Sequence, residues 1–308
     1  MTSILGFGAY LPARVVGHEE LAAQLGVEAG WILQACGIRE RRYAAADETV
    51  VDMAEKAART CLARTGLEPS ALGGLLVGTG TPQRQFPGVS ADLQRRLGFQ
   101  GLALDVHLAS CGGLVALVLA AELASRLGPV LVVASEKMSE VVQRHPAKET
   151  TILFGDGAGA CVVSPDRGFL EIQDWIASSD GTFAEDLCMD PGGPLVMNGR
   201  QVIMQANRKL TGAVRSLLAR TGTPSGDIGL FLFHQANLNL LKQVAKTLGI
   251  GEDKVFVNLE TRGNTSSASL LIAASEAQDQ GRFRSGEAGL MAAFGSGFTC
   301  GALQFRTA

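Results

Sequence analysis

Apolar positions along the chain alternate between two periods. Residues 50–63 and 210–219 repeat apolar side chains at helical spacing, each giving one buried face of an amphipathic helix. Short apolar runs follow each of them, at 74–77 and 229–233, and these predict buried strands. The two stretches also share a pentapeptide. Leu-Ala-Arg-Thr-Gly stands at 62–66 and again at 218–222, 156 residues later. Each copy is followed by a Pro-Ser turn (Pro69-Ser70, Pro224-Ser225), then the strand, then a helix ending in Leu-Gly (Leu97-Gly98, Leu248-Gly249). Further strands (103–106 and 255–259), small-residue helices (112–127 and 266–278) and apolar strands (130–134 and 289–293) complete each copy. A strand–helix unit used twice is the pattern of an internal repeat.

Alternating strands and helices predict an α/β fold with mixed, mainly parallel sheets. Helices built from Ala, Gly and Ser can approach other backbones closely, which suits burial between two sheets. The expected architecture is two duplicated αβ halves, 1–165 and 166–308, sharing one interface.

Three junctions between strand and helix carry reactive side chains. Cys111, in Leu108-Ala109-Ser110-Cys111-Gly112-Gly113, stands where unpaired N–H groups and the helix dipole favour a thiolate. The bland alternative is a buried structural cysteine, the ordinary fate of a free thiol. His234, at the carboxyl end of an apolar strand, is a candidate base or oxyanion donor, whereas His18 and His145 read as ordinary hydrogen-bonding residues. Asn264, in Arg262-Gly263-Asn264-Thr265-Ser266-Ser267, is equally explicable as a helix cap. A glycine-rich loop, 294–301, has no helix after it, so an oxyanion turn fits it better than a nucleotide site.

Composition narrows the choices. Of 308 residues 46% are hydrophobic and 19% charged, with 38 glycines, the profile of an α/β enzyme. The net charge of −3 comes without any basic run, so no nucleic-acid partner is expected. The six cysteines are scattered without metal-ligand or disulfide spacing. No signal peptide or membrane span is visible, which gives a cytoplasmic, metal-free enzyme as the expectation.

The ordered motifs resemble the β-ketoacyl-acyl carrier protein synthase III family along essentially the whole chain. They are Gly8-Ala9-Tyr10-Leu11-Pro12, Gly37-Ile38-Arg39-Glu40-Arg41, Phe86-Pro87, the FGDGAGA stretch at 154–160, His234-Gln235-Ala236-Asn237, Gly263-Asn264-Thr265-Ser266 and the last glycine-rich loop. The resemblance implies a thiolase-like fold, layered α-β-α-β-α, with no cofactor beyond its substrates. It implies that acyl-CoA acylates a cysteine and that malonyl-acyl carrier protein is then decarboxylated and condensed, with Cys111, His234 and Asn264 in the catalytic roles. An oxyanion hole would use the nucleophile's N–H and that of Ser296, a position usually held by glycine. Trp31 would stack on the CoA adenine, Lys148 would contact phosphate, and Phe86 would line the acyl pocket of a partner in a homodimer.

Several positions depart from the family. Ala35 replaces an arginine beside Trp31, and Asn239 replaces one expected to dock carrier protein, for which Lys242 and Lys246 are substitutes. From Asp105 to Cys111 is six steps where five are usual. Counting from Asp105 or from the following helix puts Ser110 at the nucleophile position, while counting from Leu97-Gly98 gives Cys111. Cys111 is preferred because a thiolate is accessible near neutral pH and a His–Asn pair is no obvious base for a serine. Ser110 would favour acyl transfer to a hydroxyl or amine without decarboxylation. A non-catalytic partner subunit is the remaining alternative, opposed by the presence of all three motifs.

Overall fold

The computed structural model describes residues 2–308. Five strands in the first part of the chain are β1 (Ser3–Tyr10), β2 (Gly74–Gly78), β3 (Leu102–Val106), β4 (Val130–Lys137) and β5 (Asp156–Ser164). Five follow in the second: β6 (Leu170–Ser179), β7 (Ile228–Phe233), β8 (Val255–Phe256), β9 (Ala288–Gly295) and β10 (Thr299–Thr307). The first set is ordered β3-β2-β4-β5-β1 and the second β8-β7-β9-β10-β6, the same order offset by five. The two sets join edge to edge where Ser3 and Ile4 of β1 pair with Glu171 and Leu170 of β6.

The expectation of mainly parallel sheets is corrected. Within each set two pairings are parallel and two antiparallel. In each set one antiparallel pair, β4–β5 or β9–β10, joins strands consecutive in the sheet with no long crossover helix between them. The tight turn 296–298, for example, returns β10 directly alongside β9.

Helices repeat with the strands. They are α1 (Val50–Thr65), α2 (Val89–Leu97), α3 (Gly112–Leu127), α4 (Gly199–Thr221), α5 (Leu238–Leu248) and α6 (Ser269–Asp279). Helix α1 covers the outer face of the first sheet and α4 that of the second. Between the sheets lie α3 and α6, each packed on strands of both. The result is the α-β-α-β-α layering of the thiolase fold. The shared pentapeptide ends α1 and α4, and its glycine is the left-handed cap in both, Gly66 and Gly222 at φ +66°. Only glycine takes that conformation without a steric cost, so the repeat preserves a helix stop.

Helix α4 is much longer than the 210–219 segment its periodicity predicts. Its first three turns carry Val202, Ala206 and Leu210 at four-residue spacing, and these pack on the second sheet's core while also lining a cavity. The middle layer explains the small residues of α3 and α6. A β-carbon at Gly159 of β5 would stand 2.6 Å from Leu271 Cβ and 2.7 Å from Ile272 N, so α6 rests directly on the sheet backbone. Gly159→Ala should therefore destabilise the fold by about 1–3 kcal/mol, since no flexible side chain can yield. Gly17→Ala, where an added β-carbon meets nothing, serves as the neutral control in the same denaturant titration.

Candidate active site

An apolar cavity opens where the loops after β3 and β7 and the end of β9 meet the segment 264–266. Ser110, His234 and Asn264 line it together with apolar side chains such as Leu153, Leu195 and Phe294. Two of the three expected catalytic residues thus share one space although they come from different loops.

His234 follows β7 and is 6% exposed. Its Nδ1 is hydrogen-bonded to Ser269 Oγ, at the first turn of α6. Ser269 Oγ also accepts the Gln235 N–H at 3.2 Å, and Nδ1 is the one acceptor its hydroxyl proton meets among the described residues. Nε2 then carries the imidazole proton, and it is the nitrogen left to donate into the cavity. Burial lowers the His234 pKa to about 4, so the ring is neutral at physiological pH.

Asn264 is 5% exposed. Its Oδ1 accepts the Ser266 N–H at 2.9 Å, which fixes the amide with its nitrogen turned toward Ala236 O, 3.4 Å away. Its backbone bridges to the FGDGAGA stretch, donating to Leu153 O and accepting from Gly155 N. Gly155 has a physical reason, since a β-carbon there would meet Arg262 O at 2.9 Å.

The third expected member lies apart from the other two. Cys111 does not line the cavity with His234 and Asn264. It is 0% exposed, takes a right-handed conformation as the N-cap of α3, and directs Sγ toward Ala293 O at 3.7 Å. Burial pushes its thiol well above the ordinary value. Its neighbour Ser110 stands at φ +64°, one of only two non-glycine residues with positive φ among those described. The other is Ser266, at φ +47°. The two are separated by 156 residues, the offset of the repeat, and Ser110 N–H donates to Ser266 Oγ at 3.0 Å.

That bond also bears on the expected oxyanion hole. The N–H of Ser110 is engaged by Ser266, and that of Cys111 by Ala109 O at 2.7 Å. Ser296 opens the turn 296–298 just after Gly295, which packs its backbone against Ala109 and Cys111.

Of the outer residues, Lys148 Nζ lies 5.9 Å above the Trp31 ring, so these two come together. Asn239 uses its Nδ2 to bind Gln34 O and Ala35 O, fastening the end of the helix Ala29–Cys36. Lys242 and Lys246 are exposed on α5. Phe86 is 83% exposed and lies away from the cavity of its own chain. Residues the sequence did not flag are Ser266, Ser269 and Gln235. The last is buried and clamps the site by donating to Phe233 O and Phe256 O and accepting from the N–H groups of Asn258 and Leu259. Its place inside the HQAN motif was the one available signal.

Two duplicated halves stacked in α-β-α-β-α layers, with buried donors converging on an apolar cavity, define a condensing enzyme of the thiolase fold. Family models for 3-oxoacyl-[acyl-carrier-protein (ACP)] synthase III and for the C-terminal part of that enzyme match residues 104–181 and 218–307. The beta-ketoacyl-[acyl-carrier-protein] synthase III of Chelativorans sp. (strain BNC1) is 37% identical, covering 99% of both chains. That of Oleidesulfovibrio alaskensis is 38% identical over 99% of this chain and 98% of its own. The crystal structure of 3-oxoacyl-[acyl-carrier-protein] synthase III from Aquifex aeolicus VF5 superposes with a TM-score of 0.95 at 35% identity, covering 99% of this chain and 100% of the other. The chain belongs to the β-ketoacyl-acyl carrier protein synthase III family of acyl-transferring condensing enzymes.

The depressed His234 pKa makes stability depend on pH. An unfolded imidazole takes its proton near the ordinary value of 6.5, whereas the folded one waits until about 4. The unfolded state therefore binds more protons between those values, and folding stability falls as pH drops through them, by up to about 3 kcal/mol. Asp156, raised by burial to about 6, acts in the opposite direction, but it does so in wild type and variant alike. The stability difference between wild type and His234→Asn should stay flat above pH 6.5 and shift against the wild type down to pH 4. A difference that is constant with pH would contradict a buried neutral imidazole.

Proposed function

We propose that this chain transfers the acyl group of an acyl-CoA to the turn at 110–111 and condenses it with a malonyl group on acyl carrier protein, releasing carbon dioxide. The observation that carries this is the convergence of His234 and Asn264, both held as neutral donors, on one apolar cavity. Loss of carbon dioxide from a malonyl thioester leaves an enolate whose negative oxygen needs two hydrogen bonds. Imidazole Nε2–H and amide Nδ2–H supply them in surroundings of low dielectric, where such bonds are strong. The chemistry calls on no cofactor beyond the two thioester substrates.

The remaining assignments have their own support. Trp31 and Lys148, already adjacent, suit an adenine ring and a phosphate of CoA. Lys242 and Lys246 offer charge to an acidic carrier protein, while Asn239 is occupied with Gln34 and Ala35 and adds none. A homodimer is supported by β3, an edge strand with Leu102 and Leu104 half exposed, and by the outstanding Phe86 nearby in sequence. Phe86 would then reach a partner's acyl pocket, and the Ser296 N–H would serve as an oxyanion donor. The equal strand orders support a division into halves at 165/166. The cytoplasm, where carrier protein and CoA thioesters occur, is the proposed location. Described residues form no helix long and apolar enough to cross a membrane. Retention of both donors and likeness to synthases along the whole length weigh against an acyltransferase without decarboxylation or a non-catalytic subunit.

His234→Ala and Asn264→Ala should each lower release of carbon dioxide from malonyl-acyl carrier protein by about 100- to 1,000-fold, the usual effect of removing one oxyanion donor. The assay is radiolabelled malonyl release in the presence of acyl-CoA. Wild-type protein that takes up the acyl group yet releases no carbon dioxide would sink the condensation.

A further inference from the structure

We infer that Ser110, and not Cys111, carries the acyl group, so that the acyl-enzyme is an oxyester; this rests on the acyl transfer proposed for the site. Ser110 holds a left-handed backbone conformation that costs a non-glycine residue of order 1 kcal/mol or more and persists only where its surroundings enforce it. At φ +64° its side chain turns out of the line of α3 and into the cavity shared with His234 and Asn264. Its hydroxyl has no hydrogen-bond partner among the described residues, whereas its N–H is held by Ser266 Oγ. The hydroxyl is thus placed but uncommitted, next to the positive end of a 16-residue helix.

Cys111 has the opposite surroundings. Its Sγ faces Ala293 O, and Gly295 closes its backbone over Ala109 and Cys111. Bringing the thiol into the cavity requires rotating the start of α3 by about one residue, roughly 100°. That rotation would withdraw Ser110 and break its bond to Ser266.

The steps balance without an added reagent. Ser110 Oγ attacks the thioester carbonyl carbon, the carbon–sulfur bond breaks, and the hydroxyl proton ends on the departing CoA thiol. After carbon dioxide leaves the malonyl group, the enolate carbon bonds to the ester carbonyl carbon. The carbon–Oγ bond then breaks, and the serine alkoxide takes a proton from water.

The test incubates full-length protein with acetyl-CoA or octanoyl-CoA, followed by intact mass measurement and peptide mapping. One acyl increment is expected on Ser110, undiminished in Cys111→Ala, abolished in Ser110→Ala and resistant to neutral hydroxylamine. Ser110→Cys should take up the same increment as a thioester, which neutral hydroxylamine removes. Should Ser110→Ala fold poorly, Ser110→Gly, suited to positive φ, replaces it. An adduct lost in Cys111→Ala but kept in Ser110→Ala overturns the inference, as does the absence of an adduct with both thioesters. Carbon dioxide release is read on the same samples. A Ser110 adduct without release defeats the condensation and leaves this inference standing; release with a Cys111 adduct does the reverse.

Discussion

The hydrogen bond from Ser110 N–H to Ser266 Oγ ties together the two turns on which the site is built. Each serine belongs to one copy of the repeat, each opens a middle-layer helix, and each is forced to positive φ. Strain of this kind is held in place by what surrounds it. Here the surroundings are partly the other turn: Ser266 N–H binds Asn264 Oδ1, and Ser266 Oγ receives Ser110 N–H. One line of bonds thus runs from the asparagine through both turns to the start of α3. A change at either turn would reach the other.

The line is possible only because the middle layer is packed backbone to backbone. Ser267, beside Ser266, donates its hydroxyl to the buried Glu136 at 2.6 Å, and the same oxygen stands 3.1 Å from Gly78 O. Glu136 also accepts from Gly80 N and Thr81 Oγ1, so the end of β2 and the start of the second turn share one carboxylate. A side chain at Gly78 would press on Gly112 at 2.7 Å. Small residues in this layer bring the two turns within hydrogen-bonding distance.

Much of this was legible in the sequence. The repeated pentapeptide marked the duplication, because a helix stop with a left-handed glycine leaves a local signature. His234 and Asn264 stood at junctions where strand ends meet helix starts. What the sequence could not give was direction. Whether Ser110 or Cys111 faces the cavity depends on the sign of one φ angle, which local residue preference does not dictate. The sequence argument for Cys111 rested on thiolate accessibility, which holds in water and fails when burial pushes the thiol up. Ser269 and Gln235 act through residues distant in sequence, so no local spacing announced them. The long N-terminal part of α4 escaped because Ile203 and Met204 stand exposed beside its buried face, which blurs the helical pattern.

Burial of His234 has a chemical consequence beyond placing a donor. An enolate is a strong base, and an imidazolium beside it would quench it by giving up a proton before carbon–carbon bond formation. A ring with pKa about 4 is neutral, and its Nε2–H is far too weak an acid to protonate the enolate, yet it still donates a hydrogen bond. The same apolar walls that depress the histidine also exclude water, the other proton source. Raising the polarity of the cavity would therefore harm the reaction twice, through the charge state of His234 and through solvent, even with every donor left in position.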